Sequence, residues 1–67
     1  MNLDYGALIK QCREEFGLTQ QDLADRVGVH RVTIIQAERD ADCIKFGTMQ
    51  KILYELFLQI DIQKWKP

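Results

Sequence analysis

Two short apolar helical patterns lie very close together in the middle of the chain, and this spacing limits the folds open to the whole sequence. The first pattern begins after Thr19 and ends at Gly28, a residue type that commonly terminates helices. The second runs from about His30 to Arg39. Only about three or four residues remain for the connection, which predicts two helices packed at a steep angle across a tight turn. The inward positions are Leu23, Ala24 and Val27 in the first helix and Ile34 and Ala37 in the second.

Two further helical patterns flank this pair. The upstream stripe ends at Phe16, and Gly17 follows it as a helix stop. The polar residues 40–47 predict a loop, and a fourth helix begins after Gly47. Both stripes have the three- and four-residue spacing of one apolar helix face. Their members are Tyr5, Leu8, Ile9, Cys12 and Phe16 upstream, and Met49, Ile52, Leu53 and Leu56 downstream.

The apolar period changes after Leu56. Leu58, Ile60 and Ile62 alternate with polar residues, which is typical of a half-buried strand. A single strand cannot satisfy its own backbone hydrogen bonds. We therefore expect the same strand of a second copy to pair with it about a two-fold axis, with Trp65 adding to the dimer contact. A frayed, irregular tail is the alternative.

The size and charge of the chain narrow the function classes. Its 67 residues allow one domain, which we divide into a helical part, 1–57, and a dimerisation strand, 58–67. The net charge of −1 and the pI of about 5.7 argue against loose binding to nucleic acid, because such binding depends on positive charge. The expected fold class is all-α, a four-helix bundle with a C-terminal β-strand that pairs between protomers.

The residue types do not favour an enzyme or a metal protein. A closed zinc site needs four Cys or His ligands, whereas the chain has two cysteines and one histidine. It has no serine, and no glycine-rich loop suited to phosphate. We expect no cofactor and no catalysis. Residues 1–10 lack the apolar core of a secretory signal, so we expect a cytoplasmic protein with both thiols free.

The segment from Leu18 to Arg39 resembles the helix-turn-helix of the Xre/Cro family, which includes the lambdoid phage repressors. The resemblance extends over residues from about 5 to 57, and it departs from the family pattern at Asp40, where a glycine is usual. It implies a lambda-repressor-like bundle and a homodimeric repressor that binds a palindromic operator in double-stranded DNA. The residues that carry it are Gln20, Leu23, Ala24, Gly28, Val29, Ile34 and Glu38, with Ile9 and Arg13 upstream.

The end of the chain looks like that of HipB-type antitoxins, on the pattern of residues 51–62. This likeness implies the antitoxin of a HipBA-like toxin–antitoxin operon, with a HipA-like kinase toxin as a further partner. A stand-alone or phage-derived Xre-type regulator is a second interpretation. A helical protein-interaction module without DNA binding is a third, and the acidic pI favours it.

The second helix of such a motif lies in the major groove, and its residues divide by what they can contact. Arg31 can donate to guanine and Gln36 can pair with adenine, whereas Val32 and Ile35 suit thymine methyl groups. Phosphate contacts are expected from four residues near helix ends. These are Gln20, on the resemblance, and Thr19, His30 and Arg39.

The resemblance also implies a structural ion pair. In the family, an arginine of the first helix pairs with a glutamate at the end of the third. The matching residues here are Arg13 and Glu38. We expect this pair to hold the DNA-reading helix against the rest of the domain.

Overall fold

The computed structural model describes the backbone of residues 4–64 and the side chains of residues 4–58. Within these residues the chain is helical, with four α-helices and one short 3-10 turn. The two middle helices are joined through Gly28, Val29 and His30. The elements in chain order are α1 (Tyr5–Glu15), α2 (Gln20–Val27), α3 (Arg31–Arg39), the 3-10 turn (Ala41–Cys43) and α4 (Phe46–Lys64).

Local hydrogen bonds determine where the first two helices begin and end. The Asp4 carboxylate accepts from the Ala7 backbone N–H at 3.0 Å and caps α1. Thr19 and Asp22 form a capping box at the start of α2: each side chain accepts from the other residue's backbone N–H, at 3.0 and 2.9 Å. Gly28 ends α2 with a φ of 84°, a conformation that glycine adopts without steric cost.

The core lies between α1 and α2 on one side and the inner faces of α3 and α4 on the other. Both α3 and α4 pack against α1 and α2, and α3 also contacts the 3-10 turn. The buried apolar residues have the helical spacing that the sequence predicted. They are Ile9, Leu23, Ala24, Ile34, Ala37, Ile52 and Leu56.

Gly6 permits a close approach of α1 to the end of α3. A Cβ atom at this position would lie 2.6 Å from the Glu38 carbonyl oxygen and 2.8 Å from that of Ala37. Both atoms belong to the backbone and cannot move aside as a side-chain end could. The absence of a side chain at Gly6 therefore sets how closely α1 and α3 pack.

The strand expected after Leu56 is not seen. Instead, α4 continues through Leu58 to Lys64, so the boundary proposed at residue 57 falls inside a helix. The physical reason lies in the backbone: a helix satisfies its own N–H and C=O groups, whereas a lone strand needs a partner. The side chains of Ile60 and Ile62, and all of Trp65, lie outside the described residues.

Candidate nucleic-acid interface

The outer face of α3 combines one apolar and two polar side chains. Val32, Gln36 and Arg39 follow one another at i, i+4 and i+7, which places them on one stripe of the helix. All three are exposed, and Val32 is exposed to 59% despite its apolar side chain. On the opposite side, Ile34 and Ala37 are fully buried. The core thus fixes which face of α3 is presented outward.

The four residues expected to face the bases do not occupy equivalent positions. Arg31 is exposed at the first position of α3, and Val32 and Gln36 lie on the outer stripe. Ile35 is half-buried and lies at the edge of that stripe. Arg39, which the sequence suggested only as a phosphate contact, shares the stripe with Val32 and Gln36.

The residues expected to contact phosphate lie at helix ends. Gln20 is the first residue of α2 and Thr19 is its N-cap. His30 is the N-cap of α3, where its exposed side chain makes no capping hydrogen bond. Free backbone N–H groups and the positive end of the helix dipole favour an anion at such positions. Two of the helix N-termini, α2 and α3, therefore carry these polar side chains.

An ion pair joins α1 to α3. The Arg13 Nε donates to Glu38 Oε2 at 2.7 Å, and Arg13 Nη2 donates to Oε1 at 3.2 Å. This two-pronged geometry suits the planar guanidinium group. The two side chains are only 10% and 5% exposed, so water weakens the attraction little.

The same pair also holds α2 and the turn before it. The third Arg13 contact is donated from Nη1 to the Leu18 carbonyl oxygen at 2.8 Å. Gln20 Nε2 donates to Glu38 Oε1 at 3.2 Å. We call these four residues, Arg13, Leu18, Gln20 and Glu38, the Arg13–Glu38 network. It connects three helices at the end of α3.

Sequence reasoning did not identify the contact between Gln20 and Glu38. A signal for it was present: the resemblance put Gln20 at the start of α2 and Glu38 beside Arg13 at the end of α3. The contact leaves a donor on Gln20, because an amide nitrogen carries two N–H groups. The orientation of the Gln20 side chain is therefore fixed by Glu38 while one N–H can still donate elsewhere.

Hydrogen bonding changes two pKa values near the ends of α2 and α3. The Thr19 backbone N–H, followed by its hydroxyl, lowers the pKa of the Asp22 carboxyl. The contribution of this hydrogen bonding to folding stability is present at pH values above the ordinary carboxyl pKa. It is lost as the pH falls through the lowered pKa of Asp22. At the 3-10 turn, Cys43 Sγ lies 3.1 Å from Asp40 Oδ2. This hydrogen bond, and the charge of Asp40, raise the pKa of the thiol.

No group of His, Cys, Asp and Glu side chains in the described part of the chain is arranged to hold a metal ion. Nor is any described helix long and apolar enough to cross a membrane. Cys12 and Cys43 are both free thiols.

Four helices, a tight turn between α2 and α3 and an exposed outer face on α3 define a helix-turn-helix domain. The chain belongs to the Helix-turn-helix family, whose profile matches residues 9–63. This match confirms the helix-turn-helix part of the resemblance to Xre/Cro proteins. It does not separate HipB-type antitoxins from other members.

The chain is similar to two archaeal proteins, each described as an uncharacterized HTH-type transcriptional regulator. That of Methanothermobacter thermautotrophicus is 59% identical over 32 residues, covering 48% of this chain and 46% of the relative. That of Archaeoglobus fulgidus is 40% identical over 48 residues, covering 72% of this chain and 62% of the relative. The chain thus spans about half of one relative and about three-fifths of the other. No solved structure gives a significant match.

Proposed function

We propose that this chain is a sequence-specific DNA-binding transcriptional regulator that acts as a homodimer on a palindromic operator. In this proposal α3 enters the major groove and presents its outer stripe to the base edges. The two archaeal relatives are also described as transcriptional regulators. The proposal involves neither catalysis nor a cofactor.

The observation that carries this proposal is the exposed face of α3 on a rigidly held helix. An exposed valine on a short solvated helix gains nothing from water, whereas thymine methyl groups offer it an apolar surface. The neighbouring Gln36 can pair in bidentate fashion with adenine, and Arg31 with guanine. Ile35 is assigned to the edge of the contact because it is half-buried. Arg39 can reach either a base edge or phosphate.

Phosphate contacts complete the proposed interface. Gln20 uses its second amide N–H, whereas Thr19 contributes less because its hydroxyl is engaged with Asp22. His30 lies at the start of α3, on the same end of that helix as Arg31. Such contacts position the helix and carry no sequence information themselves. The net charge of −1 makes sequence-independent binding weak, so affinity depends on base contacts and on two half-sites.

The experiment that tests this function is selection of bound duplexes from a random-sequence DNA library at low salt. The expected result is an enriched palindrome whose half-sites are about one helical turn, or ~34 Å, apart. A scrambled duplex of the same length is the control for sequence-independent binding. If no sequence is enriched, the regulator proposal is wrong, and an interaction module without DNA binding becomes the better interpretation.

Two narrower forms of the proposal differ in their partner. One is the antitoxin of a HipBA-like operon that also binds a HipA-like kinase toxin, and the other is a stand-alone or phage-derived regulator. The antitoxin form drew its support from a C-terminal strand, and α4 continues as a helix there. We therefore favour the stand-alone form. A kinase-like toxin that co-purifies with the co-expressed chain would reverse this preference.

A further inference from the structure

The outer face of α4 carries large aromatic side chains that the fold does not bury. Phe46, Tyr54 and Phe57 are exposed to 76%, 66% and 67%. With Gln50 they follow the spacing i, i+4, i+8 and i+11 and form one stripe. We call these four residues the α4 outer face. The core uses the other side of the helix, where Ile52 is fully buried and Leu56 is 4% exposed.

A shallow, open groove lies along this face, lined by residues of α4 alone. It has a volume of about 660 Å³, and a second groove of about 330 Å³ adjoins it at Gln50 and Leu53. None of the residues that line either groove belongs to α3, so an occupant here leaves the outer stripe of that helix uncovered. The first groove is lined by Gly47, Gln50, Lys51, Leu53, Tyr54 and Phe57.

We propose that the α4 outer face is the surface on which a second copy of this chain docks, with the two α4 helices packed antiparallel about a two-fold axis. The inference rests on the proposed function, which needs two copies of α3, and it identifies the surface that joins them. This packing of two α4 helices replaces the strand pairing that the sequence suggested. The dimer contact is then formed by helix packing.

The residues of α4 can be paired with those of a second copy about such an axis. With the axis at the level of residue 52, Gly47 of one copy faces Phe57 of the other, and Gln50 faces Tyr54. A Cβ atom built at Gly47 meets nothing within 4 Å, so the helix surface is open there. Gly47 and Phe57 lie ten residues apart on one helix, or about 15 Å along its axis. The symmetric arrangement therefore places an aromatic ring over each of the two glycines, where no side chain stands in its way.

The size and charge of the face also fit a second copy. Fully buried Phe and Tyr side chains cover roughly 150–250 Å² each. Three such side chains from each copy, now about two-thirds exposed, together with the rest of the groove, approach the ~1,200 Å² of the smaller stable interfaces. Lys51 is the one charged residue among those lining this groove, and the symmetric pairing sets it opposite Leu53. No like charges face each other across the axis among these residues.

The test is sedimentation equilibrium of the full chain over a range of concentrations, with two kinds of variant. Tyr54→Glu places a charge in the contact and should weaken self-association by about tenfold or more. Ala7→Glu introduces the same charge at an exposed apolar residue of α1 and should leave self-association unchanged. Far-ultraviolet circular dichroism of each variant verifies that it is folded.

Gly47→Leu separates docking from folding. The new side chain has open space within one copy, and replacing a helical glycine favours the folded monomer. Thermal stability should thus be maintained, yet the new side chain occupies the space over residue 47 that Phe57 of the other copy would take, and self-association should fall about tenfold. Ala7→Leu, which adds the same side chain at an exposed position of α1, is the matched control. Combining Gly47→Leu with Phe57→Ala should restore part of the lost self-association.

A parent chain that stays monomeric overturns the inference, and so does a dimer that tolerates both Tyr54→Glu and Gly47→Leu. The DNA selection tests the proposed function separately. If the chain enriches a DNA sequence but does not dimerise through α4, the proposed function stands and the proposed α4 surface is wrong. If these variants disrupt the dimer and no DNA sequence is enriched, the α4 surface stands and the proposed function is wrong.

Discussion

The two exposed helix faces of this small domain, on α3 and on α4, differ in how their helices are held. The end of α3 is fixed by the Arg13–Glu38 network, by the close approach at Gly6 and by two fully buried side chains, Ile34 and Ala37. The α4 helix is held through Ile52 and Leu56 and continues for two more turns to Lys64. Its outer face carries aromatic residues.

The difference suits the α3 face to precise positioning of its side chains and the α4 outer face to burial against another surface. Polar outer groups on a fixed helix suit hydrogen bonding to base edges, where an error in position is costly. Exposed aromatic rings gain free energy chiefly by leaving water. We therefore propose that α3 reads DNA and that α4 carries self-association. The following predictions concern α3 and the groups that hold it, while the self-association variants described above test α4.

The largest expected effect is on the anchoring of α3. Arg13→Ala leaves the buried Glu38 carboxylate without its cation and should lower the free energy of unfolding by about 3 kcal/mol or more. Urea denaturation measures this loss. We expect any loss of DNA affinity to follow from the lost stability, since Arg13 donates to groups of the domain itself.

Arg26→Ala is the matched control for this change. Arg26 lies 3.9 Å from Glu55 and its side chain is 46% exposed, so its removal should alter stability by only ~0–1 kcal/mol. Equal losses for the two variants would show that the Arg13–Glu38 network does not anchor α3.

The second prediction concerns the outer stripe of α3. Gln36→Ala should reduce discrimination at one base pair by about 1–3 kcal/mol, because a bidentate contact is lost. Competition between matched and single-mismatch duplexes measures this value, and urea denaturation should show nearly unchanged stability. Gln11→Ala, an exposed glutamine on α1, provides the control. Unaltered discrimination in Gln36→Ala would contradict a base contact at this residue.

A smaller effect is expected at the start of α2. Thr19→Ala removes the side-chain oxygen that caps this helix and should cost about 1 kcal/mol of stability. Thr19→Ser retains the oxygen and should retain most of the stability. If denaturation midpoints of the two variants coincide, the capping box contributes little to the positioning of Gln20.

The smallest effect concerns the thiol that follows α3. The hydrogen bond to Asp40 raises the pKa of Cys43, so less thiolate is present at a given pH and alkylation is slowed. Asp40→Asn should lower that pKa and increase the iodoacetamide rate near pH 8. The rates are measured in a Cys12→Ser background, and equal rates with and without Asp40 would contradict the contact.

Much of the fold follows from local signals in the sequence. Gly28 and the Thr19–Asp22 pair mark the ends of α2, and the inward positions Leu23 and Ile34 follow from helical spacing. The family match supports the helix-turn-helix interpretation. These features depend on residues close together in the chain, which is why the sequence was sufficient to predict them.

The end of the chain was harder because its pattern fits two structures. Leu58, Ile60 and Ile62 alternate as in a strand, but Leu53, Leu56 and Ile60 also have helical spacing. The helix is favoured because it satisfies the hydrogen bonds of its own backbone N–H and C=O groups. The Gln20–Glu38 contact joins residues 18 positions apart, so its only signal came from the resemblance, which put Gln20 at the start of α2 and Glu38 beside Arg13. The α4 outer face likewise became visible only once Ile52 and Leu56 had defined the buried side.

The central claim, that α3 reads DNA while α4 joins two copies, is tested most directly by nuclear magnetic resonance. The isotopically labelled chain is titrated with the selected duplex and with a scrambled duplex of equal length. The account predicts that amide signals of Val32, Gln36 and Arg39 shift with the selected duplex and that those of Tyr54 and Phe57 do not. Shifts confined to α4, or equal shifts with both duplexes, would contradict it.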